Sequence, residues 1–183
     1  MAVRYIVKYG NPVLRIKAKP IDTVDGSIRT LVDDMVETMI QAEGIGLAAP
    51  QVAESIALCV VNLGLIEEGA APKTYINPVK LHEEGTATLE EGCLSIPDIR
   101  EDVTRPEIIR VRYKDINGEE HEETCDGMLA RVLQHEIDHL NGVLIVDRIS
   151  PIKRKLLTKR LRKIVEESRS ETKIPAENVK GGI

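Results

Sequence analysis

The chain has no phenylalanine and no tryptophan, and only four of its 183 residues are tyrosine. Its core must therefore be aliphatic. The same shortage argues against a platform for single-stranded nucleic acid, which stacks bases on aromatic side chains. Cysteine is also sparse. Cys59, Cys93 and Cys125 are odd in number and far apart, which argues against a disulfide framework and for a cytoplasmic protein with free thiols. No stretch approaches the length of a membrane span, and residues 1–10 hold no long apolar run before a small-residue cleavage site. Neither a membrane partner nor sequence-specific DNA is expected.

What remains is ordinary for a soluble globular domain: 42% hydrophobic and 30% charged residues. The length predicts one domain, residues 1–169, followed by a polar, flexible tail at 170–183. The net charge of −5 hides an asymmetry. Between Pro151 and Lys163 lie Lys153, Arg154, Lys155, Lys159, Arg160, Arg162 and Lys163, with no acid. Such a segment is either a solvated helix face or a contact for an anionic partner.

Hydrophobic periodicity predicts an α+β fold. Antiparallel or mixed sheets surround a buried helix, with one helix before it and an amphipathic helix at the C-terminus. Ser27 can cap a first helix whose stripe is Ile28, Leu31, Val32, Met35, Val36, Met39 and Ile40. Gly44 to Gln51 holds two Gly, two Ala and a Pro, and reads as a loop where backbone approaches something closely. No Gly-Lys-Ser/Thr follows it, so it is not a phosphate loop. Residues 56–63 form a short apolar strand with Cys59 in the core. Residues 75–79 and the segment to Leu89 read as further strands, and residues 108–114 alternate. Asn117-Gly118 turns that strand into 119–124. Residues 142–146 read as a last extended piece. Ser150-Pro151 starts a helix with the stripe Ile152, Leu156, Leu161, Ile164 and Val165.

The buried helix carries His135-Glu136-Ile137-Asp138-His139. Asp126 stands at its start and Gly142 just past its end, as caps do. Met128, Leu129, Val132, Leu133, Ile137 and Leu140 recur at helical spacing, so the helix is buried on most sides. Positions four apart share a face, so His135 and His139 can reach one ion, and Glu136 between them can serve as a base towards water. The plain alternative is a chance match with two hydrogen-bonded core histidines. A catalytic metal needs a third protein ligand. The zinc-protease continuation His-x-x-Gly-x-x-His fails at Ile145. Glu166 and Glu167 sit in the basic helix. Cys93, after Gly92 and before a Pro-ended loop, offers a soft thiolate, though a lone cysteine is more often inert.

Three stretches together resemble the signature motifs of the peptide deformylase family: Gly44-Ile45-Gly46-Leu47-Ala48-Ala49-Pro50-Gln51, Glu91-Gly92-Cys93-Leu94-Ser95, and Gln134-His135-Glu136-x-x-His139-Leu140. They stand in that family's order at similar spacing, and the likeness runs from about Ile6 to the C-terminal helix.

The resemblance implies removal of the formyl group from N-terminal formyl-methionine of nascent peptides. It implies Cys93, His135 and His139 as ligands of one divalent ion per chain, Fe(II) by family habit, with Zn, Ni or Co as alternatives. It makes Glu136 the general base and acid. Gln51 and the Leu94 backbone N–H would stabilise the oxyanion. Gly46 would offer backbone hydrogen bonds to an extended substrate, with Ile45, Leu89, Met128 and Val132 as walls of the methionine pocket or as plain core. Glu91 would orient the pocket or a ligand, Gln134 would support the cysteine loop, and Arg100 would reach the peptide. Two residues depart from the family pattern. Arg131 stands where an aliphatic residue is usual, and is expected to extend to the pocket rim. Ile145 replaces a common aromatic, a matter of packing. The basic helix would dock on ribosomal RNA if it is not simply a solvated face. A zinc endopeptidase and a non-catalytic metal-site protein are the rival readings.

Overall fold

The structure, a computed structural model, describes residues 2–171. Helix α1 spans Gly26–Gln41. Its cap is Asp25 rather than the expected Ser27: Asp25 Oδ1 accepts from the backbone N–H groups of Ser27 and Ile28 at 2.9 and 3.0 Å. The acid satisfies two orphan donors at the start of the helix, and Ser27 instead gives its hydroxyl to the same oxygen. Leu31, Val32, Met35 and Met39 are buried, whereas Ile40 is exposed. Buried Asp34 and Thr38 on the same helix accept from the backbone N–H groups of Ala2 and Arg4, tying the N-terminal segment down.

Five strands, β1 (Gly46–Ala48), β2 (Leu58–Val61), β3 (Lys73–Glu84), β6 (Ile108–Lys114) and β7 (Glu120–Cys125), make one sheet in that spatial order. Strands β4 (Ala87–Cys93) and β5 (Ile96–Arg105) form a separate hairpin sheet. Every strand pair is antiparallel. The α+β expectation therefore holds. In β6 the alternation reads as expected, with Ile109, Val111 and Tyr113 buried and Arg110 and Arg112 exposed.

Helix α2 spans Gly127–Leu140 and carries the His-Glu-x-x-His segment. It packs on β1, β2 and β6. Ala130, Val132, Leu133 and Leu140 join Cys59, Val61, Tyr75, Ile109 and Val111 in one cluster. Burying each large aliphatic side chain of this kind contributes roughly 1.5–3 kcal/mol. The chain turns sharply out of α2 at Gly142, whose φ is +72° and whose absent Cβ would lie 2.7 Å from the Arg15 carbonyl oxygen. Only glycine meets both conditions.

Further local expectations differ from the structure. The Gly44–Gln51 stretch is not loop throughout: β1 pairs with β2, Gly46 opposite Val61, and a 3-10 turn follows at Ala49–Val52. Pairing with an existing sheet overrides the low strand propensity of Gly and Ala. Residues 142–146 form no strand: Leu144 is extended, but Ile145–Asp147 then close a 3-10 turn in which Asp147 accepts from the Leu144 N–H at 2.9 Å. Helix α3 spans Pro151–Glu171. It buries Leu157, Leu161 and Ile164 and exposes Ile152 and Leu156, so its inner face is rotated from the expected stripe. The expected tail at 170–183 falls almost wholly outside the described residues.

Candidate metal centre

Two side chains on α2 and one on β4 meet at a point. His135 and His139 project from one face of α2, and their Nε2 atoms lie 3.2 Å apart. Cys93, the last residue of β4, puts Sγ 3.3 Å from His139 Nε2. The three donor atoms all fall within 4.8 Å of one another. Ligands of a tetrahedral ion, bound at roughly 2.0–2.3 Å, stand about 3.3–3.7 Å apart, only slightly more than the 3.2 and 3.3 Å that separate His139 Nε2 from His135 Nε2 and Cys93 Sγ. The donor set, one thiol and two imidazoles, suits a borderline transition ion.

A carboxylate fixes the tautomer that ligation needs. His135 Nδ1 donates to Glu91 Oε2 at 3.0 Å, leaving Nε2 for an ion. Burial opposes charge on His135, but its hydrogen-bonded neighbours Cys93 and Glu91 outweigh that and push its pKa up to about 10. His139 goes the other way. Burial, then the nearby His135 and Arg105 charges, hold it well below the usual histidine range. An ion binding here must displace a proton, as metals do at such sites.

Glu91 is itself held. Burial disfavours its charge, but His135 and Arg105 outweigh this and bring its pKa down to about 2. Arg105 grips it with Nε and Nη2 at 2.7 and 2.9 Å, and its Nη1 reaches Asp138 Oδ2 at 2.7 Å. Arg148 closes the chain by binding Asp138 from the outside. Sequence reasoning singled out none of Arg105, Asp138 or Arg148. The signal available was the buried acids themselves, which cannot stay charged without partners.

Glu136 lies beside the donors at 3% exposure, and its Oε2 has no hydrogen-bond partner among the described residues. Burial pushes its carboxyl up to about 7. Opposite it, the Gln51 side chain is locked at both ends. Its Oε1 accepts from the Ala48 N–H at 2.9 Å, and its Nε2 donates to Ser95 Oγ at 3.2 Å and faces Cys93 Sγ at 3.7 Å. Ser95 was not singled out either. Leu94 and Ser95 form the tight turn joining β4 to β5.

These groups floor an open groove of about 930 Å³. The structure brings Ile45, Gly46, Gln51, Leu89, Glu91, Cys93, Leu94, Arg100, Met128, Arg131, Val132, His135 and Glu136 to its lining, with His139 behind. Gly46 is on β1, the edge strand of the large sheet. Leu89 and Met128, in its lining, are 46% and 47% exposed, so they are not closed core. Gln134 does not reach the cysteine loop: its amide donates to the carbonyls of Pro106 and Ala130. Arg131 contributes wall but does not extend its charge to the rim, because its guanidinium turns inward to Glu91. Arg100 faces Glu90 at 3.8 Å across the hairpin. Ile145 is buried with Leu144 and Val146, a packing position.

A groove over a thiol and two imidazoles, with a buried carboxyl beside them in an α+β frame, defines an enzyme of the metallohydrolase class. The model of the polypeptide deformylase family matches residues 3–155, and the chain belongs to that family. It is similar to the peptide deformylase of Alkalilimnicola ehrlichii, 49% identical over 170 residues, 92% of this chain and 94% of that one. The enzyme of Acidobacterium capsulatum is 48% identical over 90% of this chain and 96% of its own. Among solved structures, the peptide deformylase of Legionella pneumophila superposes with a TM-score of 0.83 at 40% identity, covering 95% of this chain and all of that one. A plant peptide deformylase reaches 0.86 at 35% identity, with 94% of both chains covered.

Proposed function

We propose that this chain hydrolyses the N-terminal formyl group of newly made polypeptides and releases formate. The observation that carries the reading is the convergence of Cys93, His135 and His139 with Glu136 and Gln51 at the foot of one groove. Cys93, His135 and His139 would hold one divalent ion, with Fe(II) first in line and Zn, Ni or Co as alternatives. Such an ion supplies Lewis acidity and lowers the pKa of water enough for attack near neutral pH.

The chain's own groups do the rest. Glu136 takes the proton of the attacking water and passes it to the departing amine, a task suited to a carboxyl poised near pH 7. The Gln51 amide and the Leu94 backbone N–H donate to the oxygen that gains charge as the formyl carbon becomes tetrahedral. Because Ala48 and Ser95 hold Gln51 in advance, it pays little reorganisation at that moment. The peptide lies extended along the edge strand β1, with Gly46 pairing to its backbone and the methionine side chain against Ile45, Leu89, Met128 and Val132. Arg100, at the groove's outer wall, meets residues further along the peptide. Glu91 keeps the His135 ring turned towards the ion.

The experiment compares formate release from a short formyl-methionyl peptide with cleavage of a peptide blocked at both ends. Each is run on the wild type and on Cys93→Ser. The reading predicts formate from the first substrate only, abolished by Cys93→Ser. Internal cleavage that survives Cys93→Ser would favour a zinc endopeptidase. An ion-loaded protein active on neither substrate would favour a binding protein.

A second reading concerns α3. Lys155, Lys159 and Arg162 are exposed beside exposed Ile152 and Leu156. Lys153 and Arg154 are instead paired with Glu101, Asp102 and Asp147, and Arg160 donates to the Asp98 carbonyl. This basic face is a contact for ribosomal RNA. Reversing Lys155, Lys159 and Arg162 to Glu is expected to abolish salt-sensitive co-sedimentation with ribosomes. Unchanged co-sedimentation would leave the face simply solvated. Among the described residues no helix is long and apolar enough to cross a membrane.

A further inference from the structure

Arg131 is 5% exposed, and every hydrogen bond of its guanidinium is made inside the protein. Nη1 donates to Glu91 Oε1 at 3.0 Å and to the Val103 carbonyl at 2.8 Å. Nη2 donates to the Ala87 carbonyl at 2.7 Å. Ala87 opens β4, and Val103 lies in β5 opposite Leu89. One side chain of α2 therefore ties both strands of the hairpin. The hairpin shares no ladder with the five-stranded sheet; its turn accepts a backbone bond from the Tyr9 N–H at the Ser95 carbonyl, 2.8 Å, and side chains hold its strands to α2. Arg131 stands one helical turn before His135, and it holds the same carboxylate that orients the His135 ring.

We propose that Arg131 is a positioning residue that fixes the hairpin wall of the groove to the helix bearing His135 and His139. Peptide binding against that wall and retention of the ion then share one strut. The proposal rests on the reading of the site given above. Only a planar fork of donors spans a carboxylate and two carbonyls at once. A lysine ammonium restores the charge but not the three-point geometry. The tie to Glu91 bears on ion retention, because partners behind a metal ligand typically carry 10–100-fold in affinity.

The test uses Arg131→Met and Arg131→Lys in the ion-loaded protein. Three quantities are read: the rate of ion loss to a chelator, amide hydrogen exchange along residues 87–105, and KM apart from kcat. Arg131→Met is expected to lose the ion roughly tenfold faster. Its hairpin amides exchange faster while those of β2, β3 and β6 stay protected, and KM rises more than kcat falls in ion-saturated enzyme. Arg131→Lys should recover ion retention but not hairpin protection or KM. The proposal is overturned by wild-type behaviour of Arg131→Met, or by uniformly faster exchange over all strands, which marks a merely structural role. Should Arg131→Met fail to fold, wild-type exchange and KM in Arg131→Lys overturn it equally. Ion loss and exchange need no substrate. If the wild type released no formate, the deformylase reading would fall while these two readouts still judged the strut.

Discussion

Glu136 lies directly against Gly46. A Cβ at residue 46 would run into Glu136 Oε1 and stand 2.8 Å from Val132 Cγ1. The edge strand and the proposed base thus approach more closely than any other residue type permits. Gly46→Ala must push either β1 or the Glu136 carboxyl aside. The expected result is a loss of roughly a hundredfold in kcat/KM, the scale of a 1 Å misplacement. The stability cost is about 1–3 kcal/mol, as for overpacking. Gly26→Ala is the control, since a Cβ there meets nothing within 4 Å. Steady-state kinetics and denaturant unfolding of both variants check this, and wild-type kinetics in Gly46→Ala would refute it.

The three cysteines differ sharply in chemistry. Burial, then the Glu136 charge, holds the Cys59 thiol well above its usual range. Burial, then Glu123, pushes Cys125 up to about 12. Only Cys93 is partly exposed. Removing the ion with a chelator should therefore release one rapidly alkylated thiol, on Cys93, and restoring a divalent ion should protect it. Peptide mapping by mass spectrometry reads the site. Fast labelling of Cys59 or Cys125, or labelling of Cys93 unaffected by the ion, would contradict the assignment.

Glu123 is the hub of a polar cluster remote from the groove. It binds Lys73 and accepts from the Tyr75 and Tyr113 hydroxyls at 2.9 and 3.0 Å. Burial opposes its charge, but Lys73 outweighs this and holds its pKa below the ordinary carboxylate value. The resulting stability is fully present above the unfolded-state pKa of about 4.3 and is lost as pH falls through the lower folded value. Glu123→Gln should cost about 1–3 kcal/mol at pH 7, the cost of leaving buried partners unpaired. The gap from wild type should narrow towards pH 3. Urea unfolding of ion-free protein at the two pH values tests this, and a gap independent of pH would count against it.

The sequence carried local periodicity well and tertiary ties poorly. Helix α2 was legible because its apolar spacing, its end signals at Asp126 and Gly142, and its ligands four apart all lie within one segment. Asp126, however, makes no side-chain cap hydrogen bond, so its end signal owes nothing to a side-chain bond. The strand β1 was missed because its three residues, Gly46-Leu47-Ala48, form a strand only through β2. The inner face of α3 was misread because which of several apolar residues turns inward depends on the cluster beneath, around Leu14, Ile96 and Val146. The arrangement behind His135 was invisible for a similar reason. Arg105 meets Glu91 from 14 positions away and Asp138 from 33, and no spacing rule joins them. Arg131 was read as an outward residue from its place on the helix. Its inward turn depends on two carbonyls of a hairpin that sequence alone does not dock.

The most direct test of the central claim is formate release by Glu136→Ala, purified without oxygen, with ion content measured on the same sample. Glu136 ligates nothing in the proposed scheme, so the variant should keep its ion and fold yet release no formate from a formyl-methionyl peptide. Formate release near the wild-type rate by an ion-loaded Glu136→Ala protein would contradict the account.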